Sequence, residues 1–186
     1  MSKAVKKLDL VALILLMRPK QWVKNGFVFA PLIFTGLFLD FTSVSQTLIA
    51  FLLFSLAASA TYVLNDLTDI ESDKKHPVKS LKRPLAAGWV TPLQAKTLLA
   101  GLYFILAIGV FFQPMIMAVV GAYLLLNLAY SYYLKHQPVL DIFTIAIGFV
   151  LRVYAGAVAI SVPVSSWMFV TTLCLALYLA AIKRRQ

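Results

Sequence analysis

Six apolar stretches, at about residues 23–39, 47–64, 97–112, 115–134, 138–162 and 165–182, leave this chain few folds to choose from. Most approach the ~20 residues that a helix needs to cross a hydrocarbon core. Lipid offers backbone groups no hydrogen-bond partners, so runs of this length read as helices rather than barrel strands. Only 13% of the residues are charged and mean hydropathy is +0.87, both far from soluble domains. The fold expected is an all-α polytopic membrane bundle, a single domain over 1–186 with about six transmembrane helices. An N-terminal interfacial helix is expected over 3–17, where Lys3, Lys6 and Lys7 precede a short apolar run. That run leads into Arg18-Pro19-Lys20 rather than a small-residue cleavage site, so it reads as retained.

The net charge of +10 does not call for nucleic acid, because topology accounts for it. With the N-terminus in the cytoplasm, sixteen of the seventeen Lys and Arg residues fall on that side, and the opposite loops carry only Asp40. The seventeenth, Arg152, lies inside the fifth apolar stretch. Cys174 is the only cysteine, which excludes an intrachain disulfide and reads as packing.

Four of the seven acidic residues crowd into Asn65–Asp73, between two apolar stretches. On a helix, Asp66, Asp69 and Asp73 fall at i, i+3 and i+7, within roughly 60° of one another. Three carboxylates on one face resist burial unless a cation neutralises them, and oxygen ligands with room for substrate phosphates suit Mg²⁺. A solvated acidic patch is the plainer alternative. Glu71 falls on the other side, and the flanking sequence supplies a phosphate-binding complement.

That complement has two parts. Arg18, Lys20 and Lys24 precede the first span, with Gln21 and Asn25 adding neutral hydrogen-bonding groups that topology does not require. Past Asp73 comes a basic loop with Lys82 and Arg83, broken by prolines and closed by Gly88 before Thr91-Pro92 opens the third span. A metal-bound diphosphate needs both halves, carboxylates for the metal and Lys or Arg for the remaining phosphate charge. His76 reads as a loop residue and Asn127 as a packing residue. Gln113-Pro114 makes an antiparallel hairpin of spans three and four.

In the fifth span Asp141, Gly148 and Arg152 lie within about 20° of one line, and Gly156 continues it roughly 60° away. Ionisable groups inside a span are expensive and normally face a bundle interior or wet cavity, which makes Arg152 a candidate phosphate contact. The plainer alternative is an Arg152–Asp141 ion pair serving only packing, against which stands their separation of eleven positions along the helix.

The pattern resembles the UbiA superfamily of intramembrane transferases, whose signature Asn-Asp-x-x-Asp-x-x-x-Asp is matched by Asn65, Asp66, Asp69 and Asp73. The resemblance implies a helical bundle around a cavity open to the cytoplasm, where those residues bind Mg²⁺ and a diphosphate substrate. Arg18–Asn25, Lys82–Gly88 and Pro138–Gly156 look most like the decaprenyl-phosphate phosphoribosyltransferase branch. That branch transfers 5-phosphoribosyl from phosphoribosyl diphosphate to a polyprenyl phosphate. Two departures stand out. The second acidic motif of the prenyl-transferring branches is reduced to Asp141, with Lys135 six residues before it. The family also has about nine spans, so this chain looks like the N-terminal two-thirds.

The activity implied is Mg²⁺-dependent transfer in a bacterial plasma membrane, with Asp66, Asp69 and Asp73 on the metal and Asp141 on a second metal contact. Arg18, Lys20, Lys24, Asn25, Asn65, Lys82, Arg83, Lys135 and Arg152 would serve the phosphates of phosphoribosyl diphosphate and the lipid. Prenyl transfer to an aromatic acceptor, or a non-catalytic truncated homologue, are the alternatives.

Overall fold

The structure, a computed structural model, describes residues 9–133 and 138–185. Its helices are α1 (Leu10–Met17), α2 (Ala30–Phe34), α3 (Phe41–Thr68), α4 (Ile70–Lys75), α5 (Lys79–Lys82), α6 (Pro92–Phe112), α7 (Pro114–Tyr132), α8 (Pro138–Ala159) and α9 (Ser166–Arg185). The described residues contain no strand. Four helices are long and apolar enough to cross a membrane, over Phe41–Thr68, Pro92–Phe112, Pro114–Ser131 and Val139–Ala159. In α9 the apolar part, Ser166–Ile182, is shorter. The molecule is an all-α membrane bundle, as its apolar runs predict.

Around α3 pack α6, α7, α8 and the segment before α2. Phe54, Ala57, Val120 and Ala155 meet in one core, while Leu16, Val63, Val90 and Leu102 form a second core at the acidic end. Between helices in lipid the attraction is van der Waals packing rather than removal of apolar surface from water. Small residues of α3 such as Ser55 and Ser59, both wholly buried, therefore serve the contact by letting neighbours approach.

The first apolar stretch departs from the helix expected over 23–39. It is a 3₁₀ helix of 11 residues, Pro19–Phe29, followed by the five-residue α2 and a turn at Gly36, whose φ of 74° suits glycine. Such runs rarely exceed a few residues, and packing explains this one. Three residues of 3₁₀ helix rise about 6 Å, as do four of α-helix. Trp22 and Asn25 thus meet Ser59 and Ser55 of α3 with matched steps, through bonds of 3.0 and 2.9 Å. On the other side Asn25 meets Arg152, and Val28 meets Gly156, in α8. The segment is zipped between two α-helices, antiparallel to α3 and parallel to α8. Gly156 is required there, because a Cβ would lie 1.9 Å from the Val28 carbonyl oxygen.

The basic loop is fixed by its own backbone. Trp89 and Val90 donate to the Pro84 carbonyl at 2.9 and 3.2 Å, and Gly88 takes φ of 72°. Leu85 and Val90 are buried in the second core. Thr91 and Gln94 then start α6 with a reciprocal capping box. At the opposite end Gln113, in the α6–α7 turn, donates to Gln46 of α3 at 3.0 Å.

Candidate active site

Asp66 and Asp73, each only 2% exposed, face each other at one end of the bundle. Arg83 joins them, with Nη1 donating to Asp73 Oδ2 and lying 3.1 Å from Asp66 Oδ1 as an ion pair. Arg18 Nη2 donates to Asp66 Oδ1 at 2.6 Å, and Lys79 Nζ lies 3.7 Å from Asp73 Oδ1. Two buried carboxylates are thus held by three cations from two distant parts of the chain. Asp66 Oδ2 is buried without a hydrogen-bond partner.

Local structure explains the gathering. Arg18 ends α1 in a left-handed turn, φ 55°, which is costly for a non-glycine residue and aims its side chain across Tyr62 toward α3. Arg83 follows α5 immediately, and the buried Leu85 and Val90 hold its backbone in place.

The three-carboxylate face expected from a continuous helix is not formed. At Asp69 the backbone leaves helical geometry, φ −95° and ψ 6°, so α3 stops there and α4 begins at Ile70. Asp69 lines a separate pocket of about 260 Å³ with Asn65, Tyr130 and Ser131. No cluster of three or more acidic, His or Cys side chains suited to a metal occurs among the described residues. Asp66 and Asp73 are brought together, and Asp69 stands on the neighbouring face.

Asn65 accepts a bond of 2.9 Å from the Ser131 hydroxyl. Tyr130 Oη donates to Asp141 Oδ1 at 2.6 Å, and Asp141 is buried. Asp141 is thereby linked through α7 to the residue beside Asp66. Sequence reasoning missed this use of Tyr130 and Ser131, and it missed Lys79. The aromatic collar at 130–133 was the available signal, since a phenol at a membrane interface needs a polar partner.

Two of the expected phosphate contacts sit away from the acidic end. Asn25 is wholly buried between Ser55 and Arg152 and lines no part of the acidic end. Arg152, 7% exposed, donates to Asn25 Oδ1 at 2.8 Å, to the Gly148 carbonyl at 2.6 Å and to Tyr123 Oη at 3.4 Å. Its guanidinium also lies over Phe54, Tyr123 and Phe149, about 5 Å from each ring. It is eleven residues beyond Asp141, or about 16 Å along α8. Lys20, Lys24 and Lys82 are exposed. Lys135 lies outside the described residues.

The described residues form a membrane bundle that collects two buried carboxylates and several cations at one end. The chain belongs to the UbiA prenyltransferase family, which matches residues 28–185. It is 40% identical over 178 residues to a decaprenyl-phosphate phosphoribosyltransferase of Mycolicibacterium smegmatis, covering 92% of this chain and 55% of that protein. Proteins of the same name from Corynebacterium glutamicum and Mycobacterium tuberculosis are 38% and 40% identical over 174 and 172 residues, each match covering 90% of this chain and 52% and 57% of the relative. The chain therefore spans about half the length of these relatives.

Proposed function

We propose that the chain carries the diphosphate end of a Mg²⁺-dependent transferase that moves 5-phosphoribosyl from phosphoribosyl diphosphate to a decaprenyl-type polyprenyl phosphate. The observation that carries this reading is the Asp66–Asp73 pair surrounded by Arg18, Arg83 and Lys79. The names of the relatives supply the substrate class.

The residues fit a divalent cation. Arg18, Arg83 and Lys79 already offset the charge of the pair, and the observation that admits a metal is Asp66 Oδ2, which has no protein donor. Asp66 and Asp73 would hold the ion, with Asp69 in the adjoining pocket and Asp141 bonded to Tyr130 of its wall. Mg²⁺ held there would supply charge neutralisation for the diphosphate leaving group.

Arg18 and Arg83 present forked donors that match phosphate oxygens, while Lys79 and Lys82 supply point charges. Exposed Lys20, two residues from Arg18, suits the lipid phosphate. A phosphate oxygen of the lipid forms the new bond to C1 of the ribose as the bond to diphosphate breaks. A phosphate monoester is anionic at neutral pH, so the attack needs no general base.

The site lies on the cytoplasmic face of a bacterial plasma membrane in this reading, because the basic residues gather there. The test mixes purified protein with Mg²⁺, polyprenyl phosphate and one soluble diphosphate at a time. Diphosphate release from phosphoribosyl diphosphate, dependent on the lipid phosphate, is expected. Turnover only with a prenyl diphosphate and an aromatic acceptor would replace the reading with prenyl transfer.

A further inference from the structure

We propose that Arg83 couples divalent-cation binding to diphosphate binding, by occupying the carboxylate pair itself until an anion draws it away. The inference rests on Asp66 and Asp73 being the metal site. Among the described residues Arg83 alone bridges both carboxylates, through one nitrogen shared by Asp66 Oδ1 and Asp73 Oδ2. A dication directed to those oxygens meets a guanidinium already there, and two cations cannot share them without repulsion. The displaced guanidinium then needs an anion, and phosphate oxygens match its fork.

The backbone allows this exchange. Ala87 donates to the Arg83 carbonyl at 2.8 Å, the Pro84–Val90 turn closes on itself, and Leu85 and Val90 are buried. Arg83 can therefore swing at its side chain, which is 24% exposed, while the loop stays docked. Asp66 keeps its bond from Arg18 throughout, and its buried Oδ2 has no hydrogen-bond partner to give up to a metal. Each ligand removes the obstacle to the other. Metal alone must evict Arg83 into a site without an anion, and diphosphate alone must enter beside two carboxylates. Linkage makes the coupling reciprocal, with the same factor in both directions.

The test uses Mn²⁺ as a spectroscopic probe on the whole purified chain, without phosphate. Arg83→Gln is expected to bind Mn²⁺ about fivefold or more tightly than the unaltered protein. Mg²⁺ with inorganic diphosphate should raise the melting temperature of the unaltered protein beyond the sum of the separate effects, and Arg83→Gln should lose that excess. Equal or weaker Mn²⁺ binding by Arg83→Gln overturns the proposal. Should that variant fail to fold, Arg83→Ala decides. It removes the cation from both carboxylates, so it too must bind Mn²⁺ more tightly. Asp66→Asn separates the two ideas. Mn²⁺ binding indifferent to Asp66→Asn places the metal elsewhere, whereas Asp66-dependent binding that Arg83 variants do not tighten removes the coupling alone.

Discussion

Arg152 Nε donates to Asn25 Oδ1 across 2.8 Å, pinning the middle of α8 to the middle of a span that is not an α-helix. Asn25 passes the contact on to Ser55 of α3. Three elements are held by a cation and a neutral amide, with no carboxylate among the bonded partners. The geometry gives Arg152 a packing role, and its replacement tests that assignment.

Arg152→Leu relieves an insertion cost of about 2.5–3.5 kcal/mol but gives up two short charged hydrogen bonds of about 1.5–3 kcal/mol each, a net loss on the order of 1–2 kcal/mol. The melting temperature should fall, and Arg152→Lys should recover only part of it because an ammonium lacks the fork. Turnover per folded molecule should remain. A fully stable, inactive Arg152→Leu protein would return the residue to the substrate site.

Two glycines on the same helix separate close approach from mere smallness. A Cβ at Gly156 would meet the Val28 backbone at 1.9 Å, and neither helix can yield without opening the seam. Gly156→Ala should cost about 1–3 kcal/mol, as overpacking does. At Gly148 the nearest atom is Arg152 Nη1 at 3.4 Å, an ordinary contact, so Gly148→Ala should melt close to the unaltered protein. Equal losses in the two thermal melts would contradict the 3₁₀–α8 seam.

The acidic residues should rank by position. Asp66→Asn and Asp73→Asn should abolish most diphosphate release, and Asp69→Asn should lower it by acting from the adjoining pocket. Glu71→Gln should be silent, since Glu71 is exposed and pairs only with Lys74 at 2.9 Å. Release assays on all four variants check the ranking, and four equal losses would mean that general charge matters rather than a formed site.

Topology can be read by cysteine labelling in a Cys174→Ser background. Ser80→Cys should react from the side of the acidic end, and Asp40→Cys and Gln113→Cys from the other. α3 runs from a cap at Asp40 to the kink at Asp69, and its 28 residues span about 42 Å, enough to separate the two sides. Labelling of positions 40 and 80 from one side would refute this arrangement.

Part of the packing of α8 was legible because helical spacing is local. The line through Asp141, Gly148 and Arg152 was read from the sequence, and Gly148 and Arg152 do share a face and a hydrogen bond. The 3₁₀ segment also left a trace that apolar length conceals. Asn25, Val28 and Pro31 are buried at every third position, whereas Lys20, Val23, Lys24 and Gly26 are exposed. That period belongs to a 3₁₀ helix, but a membrane-length apolar run reads the same for either helix, since both satisfy their backbone internally.

The sequence by itself determined a membrane bundle of helices, the end of the bundle that carries charge, and the residue types gathered there. Lipid forces those outcomes through backbone hydrogen bonding and the cost of burying charge, both set by local composition. Only the tertiary structure decided partners. Arg18 reaches Asp66 across 48 residues, Arg83 bridges Asp66 to Asp73, and the kink at Asp69 turns one carboxylate away from the other two. Packing between helices in lipid rests on shape and hydrogen bonds rather than on an apolar pattern, so the choice of neighbour is made where the surfaces meet.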